Sequence, residues 1–408
     1  MKSRDQFVTT SAGLKPPTRN RRIIQWPPLA EEPQLPFVEF LTENPSESPP
    51  MPISAARNDH RPVVNAVDLF CGAGGLTCGL QQAGVHVKAG VDIATSCRYA
   101  YSHNNHADFV EKSVTDLKGD DIERYLGGAD FTLLAGCAPC QAFSTYNRKS
   151  SPADPRWHLL LQFARLVEEN RPDLVTMENV PQLADKDVFA AFRNRLKELG
   201  YFIDWKVVRC EEYGLPQHRH RLVLLASKLG EVKVLSPEEY GAPRRTVRDV
   251  IGSLPPIEAG GISPTDTLHR ARGLTPINML RMKASKPGGT WRDWPEELKL
   301  PCHKRESGAS YAGVYGRIRW DGPAPTMTTQ FVAFGSGRFG HPEQDRALTL
   351  REGAMLQSFP QDYQFVEPGK PIDVDPVARM IGNAVPVVIG ELIGKSIFAH
   401  LKSLQTTA

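Results

Sequence analysis

Val67-Asp-Leu-Phe70-Cys-Gly72-Ala-Gly74-Gly75-Leu76 decides how this chain is read. Apolar residues from 63 to 70 predict a buried strand, the glycines a tight turn, and residues 76–83 a helix. A glycine turn between strand and helix lets the backbone approach a ligand closely. A dinucleotide fingerprint calls for glycine at position 77, where Thr77 stands, and this disfavours a pyrophosphate cofactor. Asp92 ends the next predicted strand (85–92), twenty positions after Gly72, where an acidic residue holds ribose hydroxyls. The combination fits a nucleoside without a pyrophosphate, such as S-adenosylmethionine. The rival reading is a purely structural turn.

The same texture continues outward. Helical patterns fall at 96–103, 120–126, 158–169 and 188–199, and strands at 131–135, 173–177, 203–210 and 222–226. Alternation at this spacing means βαβ units and a doubly wound, mainly parallel α/β sheet. Residues 61–227 are therefore expected to form a catalytic and cofactor-binding domain. From 228 to 325 the period is lost. This window holds 16 Lys and Arg against 11 Asp and Glu, so it is net +5 in a chain of net +3. Within it, residues 267–292 carry six basic side chains and no acidic one. A smaller, irregular domain with a basic face is expected there, a solvated face being the bland alternative. Regular pattern returns over 326–408, with helices at 348–357 and 384–401. Residues 1–60 hold ten of the 34 prolines, with seven basic and seven acidic side chains, and read as an extended arm.

The 408 residues can bury a sizeable core. No run approaches the ~20 apolar residues that span a bilayer, and residues 1–5 lack an apolar signal core. Seven cysteines argue against a disulfide framework and for a reducing, cytoplasmic setting.

Three further motifs carry chemistry. Gly136-Cys-Ala-Pro-Cys140-Gln-Ala-Phe-Ser144 follows a predicted strand, where open α/β folds place their reacting groups. Cys137-x-x-Cys140 has a redox reading, disfavoured because no small thioredoxin-like unit surrounds it. A metal site is poorer still, since Cys302-His303 stands alone. Glu178-Asn179-Val180 ends another apolar strand, as a structural cap or as a functional acid. Arg219 and Arg221 alternate in Gln217-His-Arg-His-Arg221 and are expected to share one strand face.

Together these blocks resemble the DNA (cytosine-5-)methyltransferase family of bacterial type, over 67–226 and again from about 325 to 387. The later blocks are Arg346-Ala-Leu-Thr-Leu-Arg-Glu352, Leu356-Gln-Ser-Phe-Pro360 and Gly382-Asn-Ala-Val-Pro386. The resemblance implies a class I, Rossmann-like catalytic domain and a target-recognition domain in the basic window. It implies S-adenosylmethionine as methyl donor and double-stranded DNA as partner, with the target cytosine flipped out of the duplex. Cys140 matches the nucleophile that attacks carbon 6, Glu178 the acid at ring nitrogen 3, and Arg221 the holder of the base carbonyl. Arg219 supports them. Cofactor contacts fall on Phe70, Gly72, Gly75, Asp92, Ile93, Asp116, Leu117, Pro139, Leu159, Asn383 and Val385. DNA contacts fall on Gln141, on Ser144, Arg148 and Arg156 of the segment 144–157 that resembles the family's mobile loop, and on Arg281, Lys283, Lys286 and Arg292. Of these last, the arginines are expected to read guanines and the lysines to touch phosphate. A cytoplasmic, nucleoid-associated monomer is expected, within a restriction-modification system or as an orphan modification enzyme. The rivals are an RNA cytosine methyltransferase on the same scaffold and a catalytically silent DNA-binding regulator. Departures from the family are Cys71 for alanine, Ala138 for a larger residue and Asp92 for glutamate.

Overall fold

The computed structural model describes residues 61–139, 157–305 and 313–407. Seven strands form one sheet: β1 (Val64–Leu69), β2 (His86–Asp92), β3 (Asp108–Glu111), β4 (Phe131–Gly136), β5 (Leu174–Asn179), β6 (Phe202–Arg209) and β7 (His220–Ser227). Their order is β3-β2-β1-β4-β5-β7-β6. The first five run parallel, and β7 is antiparallel to both β5 and β6. Strand β3 was not expected from its pattern. It is four residues long and exposes two of them, too short to show a period.

The parallel crossovers supply helices α1 (Gly75–Gln82), α2 (Arg98–Asn105), α3 (Gly119–Leu126), α4 (Trp157–Asn170) and α5 (Asp187–Glu198). Alternation along β1 shows why both faces are covered. Val64 and Ala66 join the core under α1, while Asn65, pointing the other way, donates to the Gly127 carbonyl at the end of α3. Helices α3, α4 and α5 pack in sequence on that second side.

Beyond β7 come α6 (Pro237–Tyr240), α7 (Val247–Ile251), α8 (Pro276–Ala284), α9 (Leu350–Leu356), α10 (Val374–Asn383) and α11 (Val387–Thr407). Between Ser227 and α9 the described residues form isolated bridges and no strand, matching the lost period. Two cores lie in this part. A large one joins Val247, Ile251 and Leu268 to Phe331, Leu350, Phe359 and Ile381, and reaches Ala73 and Ala100 of the sheet half. A small one holds Met282, Trp291, Trp294, Leu298, Phe334 and Ala347. Helix α9 is anchored by a fully buried ion pair in which Arg346 Nη1 and Nη2 donate to Glu352 Oε2 and Oε1 at 2.8 and 2.7 Å. Burial alone would raise the Glu352 carboxyl, but Arg346, with His341 and the Thr349 N–H, offsets it and holds the group below its ordinary range. At the far end of α9, Gln357 donates to the Ile381 carbonyl at 2.8 Å, fixing α10.

Helix α11 returns to the sheet and lies against α1. Taken together with α10 as Val374–Gln405, it is apolar and long enough to cross a membrane, but two-thirds of the apolar window, 67%, is buried inside the fold. It is a core helix. The contact is so close that a Cβ on Gly79 would lie 2.0 Å from the Val387 carbonyl oxygen and 2.5 Å from the Glu391 nitrogen. Both obstacles are backbone and cannot rotate away. Gly79→Val is therefore expected to lower the stability to unfolding by about 1–3 kcal/mol or more, read as an earlier urea midpoint. An unchanged midpoint would mean that α11 yields without cost.

Candidate active site

Winding reverses between β1 and β4, and open α/β sheets bind ligands in the crevice beyond the carboxyl ends of such strands. A cavity of about 380 Å³ opens there, within the roughly 300–1,000 Å³ of small-molecule sites. Phe70, Gly72, Asp92, Ile93, Pro139, Leu159, Asn383 and Val385 all line it. Gly75, Asp116 and Leu117 do not, contrary to expectation. Gly75 faces the Val385 carbonyl in the α1–α11 contact. Asp116 is exposed one turn further on, and the Leu117 carbonyl is taken by Arg165 Nη2 at 3.0 Å. The wall after β3 is made instead by Lys112, Ser113 and Val114.

The turn after β1 has positive φ at Phe70 (60°), Gly72 (52°) and Gly74 (92°). At Gly74 a Cβ would sit 2.3 Å from Asn105 Nδ2, so only glycine fits. Asp92 holds this turn: Oδ2 accepts from the Gly72 N–H at 2.9 Å and Oδ1 from the Ala94 N–H at 2.8 Å. Ile93 beside it is 72% exposed on the rim. Asp68 lies deeper in the cavity wall, 1% exposed. Thr77 Oγ1 donates to its Oδ2 at 2.7 Å, while Oδ1 is buried with no hydrogen-bond partner among the described residues. Burial pushes the Asp68 carboxyl up to about 7, against the Thr77 hydrogen bond. Thr77, where a dinucleotide fold has glycine, thus serves this carboxyl. Cys71 and Cys97 also line the cavity. Burial raises both, Cys97 to about 12, so they remain thiols.

Glu178 is the penultimate residue of β5, 2% exposed. Arg221 Nε lies 2.8 Å from its Oε1, an ion pair not aligned as a hydrogen bond, for Oε1 has no hydrogen-bond partner among the described residues. Cys137 donates from Sγ to Glu178 Oε2 at 2.8 Å. The antiparallel register explains the meeting: Asn179 pairs with Leu222, so Arg221 falls beside the carboxyl end of β5. Arg219 does not share that task. It precedes the first residue of β7, is buried, and donates from Nη1 to the Met327 carbonyl at 3.1 Å and from Nη2 to the Ala384 carbonyl at 3.2 Å. It ties the returning chain to the sheet. Cys140, Gln141, Ser144, Arg148 and Arg156 lie outside the described residues.

In the basic window, Arg281 corrects its assignment as a reader of bases. It is 9% exposed, donates from Nε to the Leu298 carbonyl at 2.9 Å, and stacks 5.8 Å from the rings of Trp294 and Tyr315. It belongs to the small core. Lys283, Lys286 and Arg292 are exposed. Among the described residues no group of three or more His, Cys, Asp or Glu side chains is suited to a metal ion.

Sequence reasoning missed Asp68, Lys112, Ser113, Val114 and the role of Cys137. Asp68 had a readable signal, a lone carboxylate inside an apolar strand with a hydroxyl residue on the next helix. The others depend on how loops fold back across the strand ends.

Comparison with known proteins adds independent findings. A family model described as C-5 cytosine-specific DNA methylase matches residues 64–399. The type II methylase M.HgiDII of Herpetosiphon aurantiacus is 50% identical over 342 residues, covering 83% of this chain and 96% of that protein. The type II methyltransferase M1.HphI of Haemophilus parahaemolyticus is 32% identical, over 81% and 86%. Among solved structures, a DNA modification methyltransferase encoded within an E. coli prophage superposes with a TM-score of 0.64 at 23% identity, over 83% of this chain and 99% of that one. The Entamoeba histolytica methyltransferase EhMeth gives 0.55 at 17%, over 83% and 99%. These last two speak to fold, and the shared fold is the class I methyltransferase one.

The raised Asp68 carboxyl sets a pH dependence. A folded-state value near 7 against an ordinary 3.8 contributes stability that is full below about 3.8 and is lost as pH rises towards 7. Asp68→Asn, which cannot ionise, should gain stability over the parent protein across that interval and then level off. The total is about 4 kcal/mol. Denaturant unfolding at pH 4, 5.5, 7 and 8 measures it, and a difference independent of pH would contradict a raised Asp68.

Proposed function

This chain belongs to the C-5 cytosine-specific DNA methylase family, and from that premise we propose that it methylates carbon 5 of a cytosine within a specific duplex DNA sequence. The observation that carries the reading is the meeting of Glu178, Arg221 and the Cys137–Pro139 loop at one sheet edge, beside the cavity beyond β1 and β4. The family's reaction needs a nucleophile, a proton-handling carboxyl and a holder for the base carbonyl at one point. The Pro139 loop leads directly to Cys140, whose thiolate adds to carbon 6 in this proposal and leaves again when carbon 5 loses its proton. Glu178 engages ring nitrogen 3 and the exocyclic amine as sulfur adds, and Arg221 holds the base carbonyl. Arg219 positions the returning segment.

The cavity residues fit S-adenosylmethionine. The buried Asp68 Oδ1, unpartnered among the described residues, suits an ammonium donor, the exposed Ile93 and half-buried Phe70 suit a purine face, and Asp92 keeps the glycine turn in place. When bound, this donor supplies an electrophilic methyl group. The target atom is inaccessible in a duplex, so the base is flipped out to reach Glu178. The segment built on the small core, with Lys283, Lys286 and Arg292 exposed, is proposed to meet DNA and choose the sequence. The relatives' names, type II methylase and type II methyltransferase, support a place in a restriction-modification system.

Labelled S-adenosylmethionine with plasmid DNA and, separately, tRNA tests the whole reading. Methylation of plasmid is expected, and transfer to tRNA alone would favour the RNA enzyme. Cys140→Ala should abolish transfer, and Glu178→Gln should cut turnover ~100- to 10,000-fold while DNA binding persists. Turnover of Glu178→Gln close to that of the parent would reduce this residue to a structural cap.

Lys283→Ala and Lys286→Ala should weaken binding to cognate and scrambled duplexes alike, each lowering the salt slope by roughly one unit per lost phosphate contact. Titrations at several salt concentrations measure this. Unaltered slopes for both would move the DNA surface elsewhere.

A further inference from the structure

Cys137 is the first residue beyond β4, and its N–H donates to the Leu69 carbonyl at 3.2 Å. That bond carries the pairing of β4 with β1 one step past the strand end and fixes where the side chain stands. Its Sγ lies 2.8 Å from Glu178 Oε2 on the neighbouring strand, while Arg221 Nε lies 2.8 Å from Oε1. Each oxygen of one buried carboxyl therefore has its own neighbour. Among the described residues, Cys210 also interacts with Glu178, and with Arg221, Arg219 and Glu211. Burial pushes the Cys210 thiol to about 12, so it stays neutral there. Cys137 also lines the cofactor cavity, and so touches both halves of the reaction.

We infer that Cys137 is a positioning residue for methyl transfer: its thiol fixes the rotation of the Glu178 carboxyl and leaves Oε1, beside Arg221, as the oxygen offered to the target base. This rests on the reading of Glu178 as the group that engages the base. The terminal torsion of a glutamate is broad, and Arg221 contacts Oε1 off the line of a hydrogen bond. Without a donor at Oε2 the carboxyl turns over a range in which only part is productive, and misaligned catalytic groups lose rate steeply.

The test is a double-mutant cycle on the full-length protein with S-adenosylmethionine and cognate DNA, using Cys137→Ala, Cys137→Ser, Glu178→Gln and the double variant Cys137→Ala/Glu178→Gln. Cys137→Ala should lower kcat about tenfold, with KM for donor and DNA within about twofold of the parent values. Cys137→Ser keeps a donor and should recover most of the lost rate. In the Glu178→Gln background the alanine substitution should cost little more, because the two side chains act as one unit. An alanine penalty of equal factor in both backgrounds would overturn the inference. So would a raised KM for S-adenosylmethionine at unchanged kcat, which makes Cys137 cavity wall only. Failure of Cys137→Ser to recover rate while folding normally by urea unfolding would overturn it too. If Glu178→Gln alone turns over like the parent, the reading of Glu178 falls first, and that outcome is visible without any Cys137 variant.

Discussion

One strand runs against the other parallel ones, and the site depends on it. In a wholly parallel sheet every strand would bring its last residues to the ligand edge and its first residues to the opposite side. Strand β7 is reversed between β5 and β6, so its first residues arrive where β5 ends. Arg221 can then face Glu178 across paired backbones, with the register, not a flexible loop, setting the approach. The connection that allows this runs from Cys210 to Arg219 and opens with the turn Cys210–Tyr213 followed by Gly214 in the left-handed region. The cation cannot lie elsewhere without unpairing the strands.

A second constraint ties the cavity to the helices. Its floor is the glycine turn after β1, and its far wall is the segment 383–385. These meet because α1 and α11 touch at glycine positions with almost no side chain between them. Arg219 reinforces the arrangement by holding the Met327 and Ala384 carbonyls from just before β7. A buried arginine is a costly device unless satisfied, and here it fastens the segments at Met327 and Ala384 beside the start of the strand that presents Arg221.

Most of the sheet was legible in the sequence because buried parallel strands read as short apolar runs between amphipathic helices. Strand β3 was not, being too short for a period. The helix α10 escaped notice because Ile381-Gly-Asn-Ala-Val-Pro386 reads as the opening of the last helix, while the structure places Ile381–Asn383 inside a helix of its own. In the site, residues quoted within motifs and lying on strand ends arrived at the cavity: Phe70, Gly72, Asp92 and Pro139. Asp116 and Leu117 did not, because position along a loop does not reveal how far it turns away. Arg281 failed for a different reason. A basic run predicts a charged surface, but an arginine beside Trp294 and Tyr315 can be enclosed by them, with its nitrogens satisfied by Leu298 and Asn278. Charge patterning carries no signal of that enclosure.

The closure of α1 by α11 also has a meaning in time. The cavity floor is synthesised more than three hundred residues before its last wall. A chain emerging from the ribosome folds progressively from its first domain onward. Yet here the sheet can assemble long before Val385 and the helix after it exist to complete the pocket. Completion of the cavity is thereby coupled to synthesis of the far segment, and a chain halted anywhere before it would carry Glu178 and Arg221 beside an unfinished cavity.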